Sequence, residues 1–395
     1  MARVVDLWHT KTKKRTTRYG KGSRWQAVWT DAGERQKRSF VSKAAAEEHL
    51  VWVTHHQKTG SYVSPERGRV FVDELLEDWL ATLAHYKPST LDTTKSDVSA
   101  TIKPYWGRKV LADITTADVQ KWVTSMDKAG RTVQTIHGRF LTFLEWCISE
   151  SRITKNPAKG VNLPQGRKRE HIFLTPQQVD ALADAVEAIY RALIWVLATT
   201  GLRMGEVVEL RVRDLDVKRR RLRIERSVTF VRGLGAVVGP PKSGKARTVP
   251  LTLLALAFLV SQAEGKAPDD LLFTTGRGRQ IRTNNFKARY FDAAVRRVNE
   301  IAVEDAAGGP VKLPTISADL WVHDLRHTAA SWAVQSGASV KSVQRMLGHA
   351  TAAITLDTYT GLFDQDLDHV AERMEDLILA SVKVEGPQKD HRPDG

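Results

Sequence analysis

The chain has little of what would let it fold by covalent staples or enter a bilayer. Cys147 is the one cysteine in 395 residues, so neither an intramolecular disulfide nor a cysteine-based metal cluster can form. The longest apolar run, 189–198, contains Arg191 and is too short to span a bilayer. The opening stretch MARVVDLWHTKTKKR has no apolar segment of signal-peptide length. Internal repeats and long low-complexity tracts are absent. So are a glycine-rich phosphate loop and the carboxylate cluster of two-metal nucleases. The expectation is a soluble, cytoplasmic protein with no metal, no cofactor and no membrane partner.

What is abundant is positive charge. The formal net charge is +15, with 42% apolar residues to build cores and 27% charged residues. Such a surplus points to a polyanion, because Lys and Arg set against phosphates release counterions. The charge is uneven. Residues 1–60 hold 13 Lys and Arg against 5 Asp and Glu, whereas residues 361–395 hold 4 against 9. The phosphate-facing surface is therefore expected at the front of the chain.

Punctuation divides the chain into three folded parts. Residues 1–57 read as a small β-sheet plus a helix. Trp25, Ala27 and Trp29 alternate with polar residues, Asp31-Ala32-Gly33 turns the chain before Ser39-Phe40-Val41, and Ser42 caps a helix over 43–56. Residues 58–67 are a polar linker. Residues 68–156 read as all-α, with four helices: one carrying Phe71, Leu75, Leu76, Trp79, Leu80 and Leu83 on one face, the others opening at Pro88, Thr115 and Arg131. A second linker covers 157–169. Residues 170–382 read as mixed α+β, with strands over 221–230 and 246–251 between helices. A final helix carries Leu367, Val370, Met374 and Ile378 on one side, and residues 383–395 form a disordered tail.

Four short segments of the third part carry chemistry. TTGLRMGEVVEL supplies Arg203 and, three residues on, Glu206. PPKSGKARTVPL supplies Lys242 in a turn. HDLRHTAAS supplies His323 and Arg326. LGHATAAITLDTYTGL supplies His349 ten residues before Tyr359. In their order and spacing these segments resemble the two boxes and the intervening hairpin lysine of the tyrosine recombinases. The likeness continues outward: PSTLDTTKSDVSATIKPYWG is similar to the family's helical core-binding domain, and the basic front end resembles the arm-binding module of phage-type integrases.

The resemblance implies an integrase that cuts and rejoins double-stranded DNA at attachment sites through a 3′-phosphotyrosine, working as a homotetramer with accessory bending and directionality proteins. The residue types suit that chemistry. Two guanidiniums, Arg203 and Arg326, match the non-bridging oxygens of a pentacoordinate phosphorane and need no metal. Tyr359 is the expected nucleophile, His323 is placed to take its proton, and His349 is expected to bond the phosphate or support the transition state. Lys242 is the best general acid for the departing 5′ oxygen, with the assignment of the two proton transfers between His323 and Lys242 left open, and Glu206 is expected to orient Arg203. His327 reads as structural. Lys11, Lys13, Lys14, Arg15, Arg18, Lys21 and Arg24 are the arm-site contacts. The last helix, by the same resemblance, is expected to pack on a neighbouring subunit, the alternative being that it folds onto its own domain. Two rival readings stand beside this one: a type IB topoisomerase, and a non-catalytic DNA-binding regulator descended from an integrase.

Overall fold

The computed structural model describes residues 2–31, 33–59, 62–166, 169–306, 314–364 and 374–379. The chain divides into two compact units, Met1–Lys168 and Arg169–Gly395. Among the described residues no helix is long and apolar enough to cross a membrane.

The first unit begins with an antiparallel sheet of β1 (Arg3–Asp6), β2 (Trp25–Asp31) and β3 (Glu34–Phe40) in that order. The β2–β3 hairpin closes between Asp31 and Glu34, where Gly33 takes φ +86°, a conformation a Cβ would strain. Ser42 Oγ accepts from Ala45 N at the start of α1 (Lys43–Lys58). That helix lays Ala46, Leu50 and Val53 on Ala27 and Trp29, a separate small core.

The helical remainder of this unit holds α2 (Val72–Thr82), α3 (Pro88–Asp97), α4 (Lys103–Trp106), α5 (Thr116–Ser125) and α6 (Gly130–Ser149). The third and fourth helices are one rod interrupted by a π-turn at Val98–Ile102. Pro104 lacks the N–H that would continue the ladder, which accounts for the wider turn. Aromatics fill the core: Trp106 stacks on Phe140 at 4.8 Å and meets Trp122 edge-on at 5.5 Å.

The second unit is built around α8 (Arg191–Thr200), which follows α7 (Pro176–Ala185) and buries Leu193, Ile194, Val196, Leu197 and Ala198 completely. A short α9 (Met204–Val207) comes next. β4 (Leu215–Asp216), β5 (Arg221–Ile224) and β8 (Arg247–Pro250) form one antiparallel sheet, ordered β4-β5-β8. β6 (Ser227–Val231) and β7 (Gly235–Gly239) form a separate hairpin. Helices α10 (Leu253–Ala263), α11 (Thr283–Phe286), α12 (Asp292–Ala306), α13 (Asp324–Gln335), α14 (Val340–Leu347) and α15 (Ala352–Asp364) complete the unit.

Two expectations are corrected here. The strand read over 221–230 is two strands in different sheets. It breaks at Glu225-Arg226, where Arg226 Nη2 turns inward to the Asp214 carboxylate at 2.5 and 2.7 Å. Lys242 is accordingly not at the tip of a paired hairpin: it lies in the connection from β7 to β8, which pair with different neighbours. Met374–Leu379 is helical, whereas Leu367, Val370 and the expected tail at 383–395 lie outside the described residues.

Candidate active site

The side chains singled out from the sequence for catalysis, Lys242 excepted, converge where three helix ends meet. α8 stops at Gly201, which takes φ +66°, and the chain restarts as α9 two residues later with Arg203 at its cap. Arg326 sits in the first turn of α13, preceded by His323 at the N-cap. α14 ends in Gly348 at φ +68°, which delivers His349. α15 carries Tyr359.

Glu206 anchors the group. It is fully buried, and its carboxylate accepts from the Arg203 backbone N at 2.9 Å and from Arg203 Nη1 at 3.1 Å. It also accepts a bidentate pair from Arg247, Nη1 to Oε1 at 3.0 Å and Nη2 to Oε2 at 2.6 Å. Burial pushes this carboxyl up, but the Arg247 hydrogen bonds and charge, with Arg203, outweigh it and hold the group below its ordinary range. An ion this deep depends on its partners: removing one from a buried pair costs about 3–5 kcal/mol.

Arg326 is 2% exposed and is bonded only to carbonyls, Nη1 to Gly201 O at 2.5 Å and Nη2 to Leu347 O at 2.7 Å. Among the described residues no carboxylate lies within ion-pair distance of it. Burial, then the neighbouring Arg203, pulls its pKa down to about 9, so it remains a cation at neutral pH. Arg203 and Arg247 therefore share the Glu206 carboxylate, while the Arg326 charge beside them has only carbonyl partners. A pocket with that uncompensated charge is a receptacle for an anion.

The phenol of Tyr359 is 1% exposed, packed with Ala330, Val334, Val343 and Leu347. Its Oη lies 2.7 Å from Nδ1 of His327. Burial raises its pKa to about 12, against the pull of Arg326 and Arg203. The sequence reading gave the phenol's proton to His323, with His327 as scaffold; in the structure the hydrogen bond goes to His327. That ring stacks on His171 at 3.8 Å and meets His323 edge-on at 5.1 Å. Burial first, then His171 and His323, pushes His327 down to about 3. His349 bonds Thr355 Oγ1 at 3.0 Å, runs parallel to the Tyr359 ring at 6.5 Å, and is pushed to about 4 by burial and by Arg326. His323 is lowered to about 4, by desolvation first and by Arg326 and Arg203 next. Its residue surface stays exposed, so the ring keeps part of its hydration and the two guanidiniums are the firmer cause.

His171, Asp324 and His327 bring three donor atoms within 4.8 Å of one another. The two imidazoles are stacked, so their lone pairs run side by side instead of converging. The Asp324 carboxylate already accepts from both Arg169 Nη atoms, at 3.0 and 2.6 Å, and from Trp321 N. This trio is a packed polar cluster, not a cradle for a cation.

Lys242 lies in an exposed turn closed by Gly244 N donating to Pro241 O at 2.8 Å. Among the described residues it contacts no member of the buried group. Of the basic residues near the front, Lys11, Lys13, Lys14, Arg15, Arg18 and Lys21 are exposed on the segment between β1 and β2. Arg24 differs: its Nε and Nη2 bond Asp6 Oδ2 at 3.1 and 2.9 Å, and it packs over Trp25 at 4.8 Å. It braces the sheet. Arg247, His171 and Arg169 are site residues that the sequence reading did not single out. For Arg247 the available signal was an arginine opening a short apolar strand in KARTVPL.

Comparison with known proteins agrees with this geometry. The model described as "Phage integrase family" matches residues 172–366, and "Phage integrase, N-terminal SAM-like domain" matches 71–126. An integrase of Mycobacterium phage FRAT1 is 26% identical over 359 residues, covering 88% of this chain and 93% of its own. Tyrosine recombinase XerC of Serratia marcescens is 27% identical over 58% of this chain and 67% of its own. Among solved structures, the Tn1549 transposon integrase in complex with transposon right end DNA matches with a TM-score of 0.62 at 19% identity, over 76% of this chain and all of that one. A lambda integrase dimer bound to a COC′ core site matches at 0.53 and 17%, over 84% and 91%. At such identities these two show a shared fold. The chain belongs to the phage integrase family of tyrosine recombinases and is a site-specific recombinase.

Proposed function

We propose that this recombinase is an integrase of a phage or other mobile element, which binds double-stranded DNA at attachment sites and exchanges strands through a 3′-phosphotyrosine bond. One observation carries the reading: the guanidiniums of buried Arg326 and part-exposed Arg203 act electrostatically on the buried phenol of Tyr359, and Arg326 has carbonyls as its hydrogen-bond partners. A phosphodiester is the anion that both fills such a pocket and reacts with such a phenol.

In the proposed step Tyr359 Oη attacks the scissile phosphorus as its proton passes to His327 Nδ1, the atom it already touches. The Oη–P bond forms and the P–O5′ bond breaks. Lys242, carried inward on its turn as DNA binds, gives a proton to the departing O5′. Arg203 and Arg326 hold the non-bridging oxygens, His323 and His349 add hydrogen bonds, and Glu206 fixes Arg203. One proton enters and one leaves, and the phosphotyrosine keeps the energy of the broken linkage, so the reverse step rejoins DNA. Because Tyr359 is enclosed, binding of DNA must first shift α15 to bring Oη to the phosphorus.

The proposed layout is an arm-binding domain over 1–57, a core-binding domain over 68–156 and a catalytic domain over 170–382. Four protomers act together with accessory bending and directionality proteins. The exposed apolar residues Met374, Leu377, Ile378 and Leu379 suit a helix that docks on a neighbouring protomer. In the test, Tyr359→Phe binds attachment DNA with parental affinity and forms no covalent adduct; an adduct in that variant overturns the assignment.

A further inference from the structure

We infer that Arg247, outside the expected catalytic set, is the positioning residue that registers the Arg203 segment against the Arg326–His349 segment, setting how the pocket grips the phosphate.

Three donors of one guanidinium are spoken for. Nη1 and Nη2 form the bidentate pair with Glu206, and Nε donates to the Met346 carbonyl at 3.0 Å. Glu206 in turn holds Arg203 through its backbone N and Nη1. Met346 lies two residues from the Gly348 turn that delivers His349, and the next carbonyl, of Leu347, accepts from Arg326. A single planar group thus ties together two stretches of chain that approach the phosphate from different helices. The side chain is 8% exposed, so it works from behind the pocket, not on the DNA.

The surrounding backbone is shaped to admit it. A Cβ placed on Gly348 would lie 2.9 Å from Arg247 Cδ and 3.1 Å from its Nε and Nη1. Gly348 is therefore required twice, for its left-handed φ of +68° and for the room it leaves the guanidinium. Lysine could not replace the arrangement, because one compact ammonium cannot direct three in-plane bonds to a carboxylate and a carbonyl at once.

The inference rests on the transesterase reading, and the test separates the two. Arg247→Gln and Arg247→Lys are compared with the parent in single-turnover adduct formation on nicked duplexes. The duplexes carry a core site that the protein itself selects from a random-sequence DNA pool. Each is made with an ordinary scissile phosphate and with a methylphosphonate, which lacks one non-bridging charge. On the phosphate, Arg247→Gln is expected to slow adduct formation by about 10²-fold, the scale of an ångström-sized misplacement of a reacting group. Arg247→Lys, which keeps the buried charge and guards against simple unfolding, should fall between Gln and the parent. On the methylphosphonate the Gln deficit should shrink to a few-fold, since less charge needs gripping. An equal deficit on both linkages, or none on either, overturns the positioning role. A parent protein that forms no adduct on any selected duplex overturns the transesterase reading, and this inference with it.

Discussion

Tyr359 Oη and His327 Nδ1 share a 2.7 Å hydrogen bond inside the second unit. Because His327 is pushed down to about 3 by burial and by its imidazole neighbours, it is neutral across the working range and can accept the phenol's hydrogen bond, and the negative charge of a bound phosphate is what raises its basicity for the transfer. Replacing His327 with Phe should slow adduct formation by ~10²-fold or more, the range of general base catalysis, with DNA affinity unchanged. The acid limb of the parent's rate–pH profile should show no break from this group above pH 5. Full activity in His327→Phe together with a large loss in His323→Phe would return the proton to His323.

The same imidazoles predict how stability follows pH. His327 and His349 are lowered from 6.5 to about 3 and 4. The unfolded chain binds their protons at a higher pH than the folded one, so their contribution is complete above about pH 6.5 and is lost as pH falls toward 4. The slope is at most about 1.4 kcal/mol per pH unit for each ring. Urea melts between pH 7 and 4 should show the decline, and His327→Phe should flatten part of it. A parent whose stability stays level over that range contradicts the lowering of these rings.

Much of this was legible in the chain, and what was not has a common cause. Arg203, Arg326 and His349 could be singled out because each lies in a local motif at a helix end, where a glycine or a cap marks the boundary, and Tyr359 because it follows His349 by ten residues. The partner of Arg247 is 41 residues away in Glu206, and that of His327 is 32 away in Tyr359, so nothing local announces either pairing. The 221–230 stretch alternates well enough to read as one strand. Only the inward turn of Arg226 toward Asp214 divides it between sheets, and strand partnering is a tertiary decision.

The basic segment near the front should behave as two kinds of residue. Changing Lys11, Lys13, Lys14, Arg18 and Lys21 to Gln should lower the salt slope of arm-site binding by ~0.9 for each phosphate left without its cation, leaving core-site cleavage intact. Arg24→Gln should instead loosen the small sheet, because Arg24 is bonded to Asp6, and should shift its melting transition. Equal weakening of core-site and arm-site binding in the five-site variant contradicts the division of labour.

Gly201 tests the convergence of helix ends. An added Cβ would lie 2.6 Å from Leu347 Cδ2 at φ +66°, and the Gly201 carbonyl receives Arg326. Gly201→Ala should destabilise the protein by about 1–2 kcal/mol, the strain of a left-handed residue with a side chain, and should also slow adduct formation. Unchanged stability by denaturant melt would mean the turn relaxes without disturbing Leu347.

The most direct measurement traps the parent protein on a nicked duplex bearing its core site, digests the adduct and maps the modified peptide by mass spectrometry. The account predicts a single nucleotide-bearing residue, Tyr359, joined through a 3′ phosphate. A linkage to any other side chain, or cleavage that leaves no protein–DNA bond, would contradict it.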